Sequence, residues 1–258
     1  MTVTDTIALA AAAAAAGAVN AIAGGGTLLT FPTLLFVGTP AVVANATSTL
    51  ALVVGTAGSW FGYRRQIAVV RPWLRRFVPV SLLGGLLGGI LLTCTEEKVF
   101  ANMVPFLLLF ATVLFLAQGA FRRFAGFSDE GKMAPHHRAV WAAVLFQFFV
   151  ALYGGYFGAG IGILMLASLG FLGLGDIHEM NALKTILNSV INVVAAAWFI
   201  CAGLIEWPKM VIMTGGALAG YYVGAHFSQR IPQHRVRQII TAIGFAISAV
   251  MFYKQFAR

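Results

Sequence analysis

The sequence predicts an all-α polytopic membrane protein with two related halves, each opening with a glycine-broken or re-entrant helical segment followed by three transmembrane helices. Three observations carry that expectation. Residues 6–63 contain no Asp, Glu, Lys or Arg, in a chain of 258 residues that is 60% hydrophobic and 10% charged, with a mean hydropathy of +0.88. A soluble domain would carry roughly 25% charged residues. Apolar runs of spanning length recur through to the C-terminus, which excludes a single anchor attached to a soluble catalytic domain. Finally, a constant offset of 136 residues lays like residues on like across the chain.

The elements follow in order. Residues 6–37 and 139–175 are each over thirty residues long and broken by glycine, at Gly24-Gly25-Gly26 in the first and at Gly154, Gly155, Gly158, Gly160 and Gly162 in the second. A straight helix of that length would run roughly 45–50 Å against a hydrocarbon core of ~30 Å, so each must break, tilt steeply or fold back. Asp5 and the lack of a basic stretch before the first apolar run mark it as a retained membrane segment and not a cleaved signal. Its alanine tract, Ala10 to Ala16, favours helix and is small enough for close helix contact. The remaining segments have ordinary spanning length: 41–62, 77–95 and 99–120, then 181–204, 209–228 and 237–253. The halves are 1–120 and 139–258, joined by a loop at 121–138.

Charge sets the expected polarity. Three loops, at 64–76, 121–138 and 230–237, hold 12 of the 17 basic residues, whereas the loops around Glu96-Glu97-Lys98, Glu206 and Gly38-Thr39-Pro40 are acidic or neutral. Basic loops collect on the cytoplasmic side of a bilayer with anionic lipid. That rule accounts for the formal charge of +9 and makes lipid, not nucleic acid, the expected partner. Two cytoplasmic loops, 121–138 and 230–237, require an even number of crossings between them. Segments 181–204 and 209–228 supply two, so 139–175 must return to its starting side, and 6–37 is expected to do the same.

The internal repeat pairs Gly24 with Gly160, Gly26 with Gly162, Asn45 with Asn181, Thr49 with Thr185, Gly84 with Gly220 and Gly88 with Gly224. Glycine matches alone are weak in a chain with 29 glycines, but Asn and Thr join them without a gap. Equivalent loops have opposite charge character, so the halves are expected to be inverted in the membrane, a plan that puts a ligand at the repeat interface. A parallel duplication of four spans each is the competing arrangement.

Lys184 is the residue with the most pointed chemistry. Asn181, Lys184, Thr185, Asn188 and Asn192 step at helical intervals along one face of an apolar segment. Amides with one ammonium belong against a cavity and not against lipid; a lysine near a helix end that snorkels to the headgroups is the bland alternative. The partner stripe in the first half is Asn45, Ser48, Thr49 and Leu52, with Ser48 standing where the second half has Lys184. Around Gly24-Gly25-Gly26-Thr27 and Gly158-Ala159-Gly160-Ile161-Gly162 the backbone can approach a ligand closely, and helices starting there present N–H groups to an anion. Gly84-xxx-Gly88 and Gly220-xxx-Gly224 read instead as plain helix packing. The expected substrate-binding set is therefore Gly24, Gly25, Gly26, Thr27, Asn45, Ser48, Thr49, Gly158, Gly160, Gly162, Asn181, Lys184, Thr185 and Asn188.

Catalytic patterns are missing: the sequence holds no P-loop, no HExxH and no GxSxG with triad partners. Cys94 and Cys201 lack ligand spacing, as do His136 and His137, so neither cofactor nor metal is expected. His178 lies beside Asp176 and Glu179, where histidine's near-neutral pKa suits proton handling. Trp60, Trp73, Trp141 and Trp207 fall near segment ends and read as interfacial anchors.

Gly24-Gly25-Gly26-Thr27, Pro32 and Ala44-Asn45-Ala46-Thr47-Ser48, with Gly154-Gly155-Tyr156-Phe157-Gly158-Ala159-Gly160 and Asn181-Ala182-Leu183-Lys184, resemble the TauE/SafE family of sulfite exporters and related anion permeases. The resemblance covers nearly the whole chain. It implies transport of sulfite, a sulfonate or another small sulfur-containing or organic anion, with the glycine clusters and the Asn/Lys stripe lining the pathway. The expected protein is thus no enzyme but a secondary transporter, with proton-coupled export as one mode, integral and multi-pass in the bacterial inner (cell) membrane. A homodimer is compatible with this reading. A passive anion channel and a non-transporting membrane assembly factor are the alternatives.

Overall fold

The computed structural model describes residues 1–22, 25–62, 64–124, 137–170, 177–227 and 233–256. Among these residues there are ten helices and no strand. The first five are α1 (Val3–Ile22), α2 (Thr27–Phe36), α3 (Ala41–Gly62), α4 (Arg64–Cys94) and α5 (Glu97–Phe124). The second five are α6 (His137–Tyr156), α7 (Ile161–Gly170), α8 (Ile177–Cys201), α9 (Trp207–Phe227) and α10 (Gln233–Phe256). Each run of five opens with a 20-residue helix, a glycine break and a 10-residue helix. At 1.5 Å per residue these pieces are about 30 Å and 15 Å long, so the overlong apolar segments are resolved by breaking and not by tilting.

Among the described residues, five helices contain stretches long and apolar enough to cross a membrane: Val3–Ala21, Val69–Cys94, Glu97–Ala117, Glu179–Cys201 and Gln238–Phe256. The chain is an integral, multi-pass membrane protein. Its apolar exterior agrees: Leu83, Phe106, Leu116, Leu145, Phe149 and Val211 are all exposed.

The basic stretch 64–76 was expected as a loop, and this is corrected: it forms the first three turns of α4. Ile67, Val70, Trp73, Leu74, Phe77 and Val78 recur at helical intervals and pack into a second core with Val140, Ala143 and Met180, while Arg71, Arg75 and Arg76 stay exposed. A helix of 31 residues is about 46 Å long and outruns a ~30 Å core, so its basic start projects beyond the apolar layer. The ends of two other expected basic loops are likewise helical, at Arg122-Arg123 in α5 and at Arg235 and Arg237 in α10. Residues 125–136 of the central loop lie outside the described residues.

Small residues set the helix pairing. α1 lies along α9 in the same direction, with Gly216, Gly220 and Gly224 against Ala10, Ala14 and Ala18 in turn. The alanine tract thus makes the close contact its small side chains permit. α6 lies along α4 in the same way, with Gly84 against Ala151 and Gly88 against Leu152 and Gly155. α8 follows α4 on another face, through Gly85 on Ile191 and Gly89 on Ala195. α10 runs opposite to α5, with Gly244 at Thr112 and Phe252 edge-on to Phe106.

One end of the bundle is tied by side chains. The Glu97 carboxylate at the start of α5 accepts from the Ala41 and Val42 amides, two of the orphan donors at the start of α3. Lys209 pairs with Glu206 at 2.9 Å and donates to Thr39 Oγ1 at 2.8 Å, and Asp5 lies within its electrostatic reach. The start of α1 and the end of α2 therefore meet at the same end of the bundle: the chain that goes in along α1 comes back along α2.

Candidate functional site

The two glycine breaks are closed by neighbouring polar groups. In the first, Gly25 has φ +96°, a left-handed conformation that suits glycine, and the Gly26 N–H donates to Asn20 Oδ1 at 2.7 Å. Gly24 lies outside the described residues. In the second, the Phe157 and Gly158 amides both donate to the Tyr153 carbonyl, at 2.9 and 3.2 Å, ending α6. Gly158 and Gly160 each have φ +80°, and the Tyr153 hydroxyl donates to the Ala159 carbonyl at 2.8 Å. Each break thus replaces lost helical bonds with a fixed side-chain partner, as buried backbone requires.

Both breaks meet the same stretch in the middle of α5. A Cβ on Gly25 would stand 2.0 Å from Cζ at the tip of the Phe115 ring, and one on Gly160 would stand 3.5 Å from Leu114 Cδ1 and 3.7 Å from the Ala111 carbonyl. Phe157 then bridges the halves, edge-on to Phe31 of α2 at 5.4 Å. Gly25 is therefore a close-packing glycine against α5, whereas Gly160 has ordinary contact distances. Gly25→Ala should lower the melting temperature markedly because strain and collision combine. Gly160→Ala should pay only for its backbone conformation, of order 1 kcal/mol. Equal losses for the two variants in a detergent melt would contradict this division.

The expected second-half stripe forms as one face. Asn181, Lys184, Thr185, Asn188 and Asn192 are all half-buried, while Ala182, Leu183, Ile186 and Leu187 between them are buried. Lys184 Nζ donates to Asn181 Oδ1 at 3.2 Å. Its stem lies beside Gly162 in the first turn of α7, where a Cβ would meet Lys184 Cδ at 3.6 Å. Asn192 donates to the Asn188 carbonyl and side chain, at 2.8 and 3.2 Å.

The first-half stripe is drier. Asn45 and Ser48 are buried, and Thr49 is half-buried with its hydroxyl turned back to the Asn45 carbonyl at 2.8 Å. Asn45 Nδ2 donates to the Tyr156 carbonyl, the frayed end of α6, at 3.0 Å. Ser48 Oγ is 2.6 Å from Thr30 Oγ1 on α2, and Thr27 opens that helix. The structure thus joins Asn45 to the second break and Ser48 to α2. Ser48 and Lys184 each lie seven residues into helices, α3 and α8, that start from opposite ends of the bundle. They approach the middle from opposite sides.

Sequence reasoning missed Asn20, Thr30, Tyr153 and Phe115. Asn20 had a signal, as the lone amide in residues 6–24. Ala111, Leu114 and Phe115 had none, since their composition is that of any span. Among the described residues no three His, Cys, Asp or Glu side chains gather as metal ligands would.

Helices broken by glycine inside a bundle of membrane spans, with amides and one ammonium half-exposed beside a break, are an arrangement that recurs in membrane transporters. The chain belongs to the TauE/SafE family: the family model described as "Sulfite exporter TauE/SafE" matches residues 9–251. It is similar to a "Probable membrane transporter protein" of Haemophilus influenzae, 29% identical over 92% of this chain and 90% of the relative. It also matches "Probable membrane transporter protein ORF9" of a Sinorhizobium species, 26% identical over 90% of this chain and 86% of that one. "Probable membrane transporter protein YfcA" of Escherichia coli K12 is 24% identical over 92% and 84%. No solved structure matches the chain significantly.

Proposed function

We propose that this transporter moves a small anion, of the sulfite, sulfonate or small organic-acid kind, between two inverted halves with the Lys184 ammonium as counter-charge. The supporting observation is that Lys184 lies over Gly162, at the start of α7. A helix start leaves amide N–H groups without intrahelical partners and bears partial positive charge, a ready anion site. Lysine adds a full charge, and Asn181, Thr185 and Asn188 on the same half-exposed face add polar contacts. Gly162 itself carries no side chain to crowd the ammonium's stem.

Inversion of the halves, 1–120 and 139–258 about the 121–138 linker, is supported by helix direction. α9 begins at the end of the bundle where its equivalent α4 finishes, and α1 pairs with α9 as α6 pairs with α4. In the membrane, α1–α2 and α6–α7 are then re-entrant hairpins entering from opposite faces. The basic end is cytoplasmic. Single cysteines placed at 96–98 or 205–209 should react with an impermeant thiol reagent added outside, and those at 64–76 or 230–237 only after permeabilisation. External reaction at both 64–76 and 230–237 would reverse the polarity.

The test of function is flux in proteoliposomes, with a panel of sulfur oxyanions, sulfonates and small carboxylates, with and without a pH gradient. Secondary transport with proton-coupled export predicts saturable flux of one class, accelerated by the gradient. Unsaturable flux of all anions, indifferent to the gradient, would mean a passive pore.

A further inference from the structure

The internal repeat sets Asn45 of the first half beside Asn181 of the second. In the second half, Asn181 Oδ1 accepts from the Lys184 ammonium at 3.2 Å. The equivalent pair in the first half is Asn45 and Ser48, so the same helical turn has the amide oxygen but lacks the ammonium. Asn45 is 1% exposed, and no donor among the described residues reaches its Oδ1. A flip of the amide does not relieve this, because Nδ2 is held by the Tyr156 carbonyl at 3.0 Å, and a carbonyl accepts only from a donor.

The surroundings are rich in acceptors. Thr30 Oγ1 is within donating distance of the Gly26 carbonyl at 3.2 Å, and with that bond made Ser48 donates to Thr30 across 2.6 Å. Ser48 Oγ then keeps lone pairs and no proton to offer. The nearby Tyr156 carbonyl is at the C-terminal end of α6, which carries partial negative charge. A buried acceptor without a donor costs about 1–3 kcal/mol, and an oxyanion, an acceptor itself, cannot relieve it. A cation can. Unwound carbonyls and half-helix C-terminal ends are where transporters with broken helices coordinate small cations.

We propose that Asn45 Oδ1, Ser48 Oγ and the frayed end of α6 form a site for a monovalent alkali cation, Na⁺, which takes in the first half the role that the Lys184 ammonium has in the second. The site rests on the reading of the chain as an inverted-repeat transporter. Neutral oxygens alone suit a singly charged ion that must enter and leave, since no carboxylate is among them.

The experiment is a thermal melt of the purified full-length protein in detergent, without any anionic substrate, in NaCl, KCl or choline chloride at constant ionic strength and pH 7. The expected result is a saturable rise of about 5 °C in Tm with Na⁺ over choline. Asn45→Ala should lose that rise, and Ser48→Ala should need roughly tenfold more Na⁺ to reach it. Ser48→Lys, which rebuilds the arrangement of Asn181 and Lys184, should be insensitive to Na⁺. Equal melting of the wild type in Na⁺ and choline overturns the proposal, as does a full Na⁺ response in Asn45→Ala. If Asn45→Ala does not fold, a wild-type Na⁺ titration in Ser48→Ala overturns it instead. Substrate is absent throughout, so the site can fail while anion transport through Lys184 stands, and the reverse.

Discussion

Gly220→Val should break the bundle open, with a loss of at least ~3 kcal/mol and failure to purify as a monodisperse species, because overpacking at this point moves backbone and not side chains. A Cβ on Gly220 would collide with the Ala14 carbonyl of α1. Neither helix has a flexible atom there to give way. The α1–α9 contact is continued by Gly216 at Ala10 and Gly224 at Ala18, so one branched side chain pries apart a seam of more than two turns. Gly215, five residues earlier on α9, is exposed with nothing within 4 Å of a built Cβ. Gly215→Ala should therefore be neutral or stabilise by about 0.5–1 kcal/mol through helix propensity. Size-exclusion profiles and melts of the two variants provide the measurement. If Gly220→Val melted with the wild type, the helices would not be as close as described.

Lys184→Met should weaken anion binding by roughly ten- to a hundredfold, since charge-assisted contacts are worth about 1.5–3 kcal/mol and ~1.4 kcal/mol is one decade. The fold should survive. Met supplies an apolar chain of similar reach to fill the space over Gly162, and removing a partly buried cation leaves Asn181 half-exposed, where water can reach its oxygen. Lys184→Arg should also impair transport, because a planar fork does not reproduce a compact ammonium beside Asn181. A snorkelling lysine leads to a different outcome: both variants would bind and transport nearly as the wild type. Calorimetric titration with the anion that the flux panel selects separates the two. Unchanged affinity in Lys184→Met would end its role as counter-charge.

The two polar stripes differ in burial and in charge. The second half presents an ammonium and a helix start on a half-exposed face. The first presents buried oxygens beside a helix end.

Glu97, exposed, and Lys209, largely buried but paired with Glu206, hold one end of the bundle. Glu97 satisfies the first amides of α3, and Lys209 ties the α2–α3 turn to α9. Each bond joins elements that must separate if that end opens. These contacts are the natural ones to watch in any change of access.

What the amino-acid sequence determined by itself was the solvent each segment faces and where its helices must stop. The uncharged run from residue 6 to residue 63 required a membrane, and the overlong segments 6–37 and 139–175 required breaks, which occur at Gly25-Gly26 and at Gly158 and Gly160. Spacing also identified the Asn181–Asn192 face and the packing role of Gly84, Gly88, Gly220 and Gly224, because periodicity and small size are properties of a residue and its near neighbours. The structure alone decided which distant segments meet. Nothing local to Ala111, Leu114 and Phe115 distinguishes them from other lipid-span residues, yet both breaks rest on them. Residues 64–76 looked like a loop because five arginines dominate them; only the core formed by Val140, Ala143 and Met180 lets Val70 and Phe77 continue the helix. Asn45 and Asn181 read alike in sequence. Their different fates, one bonded to an ammonium and one left with an unpartnered oxygen, depend on contacts across the bundle that tertiary packing creates.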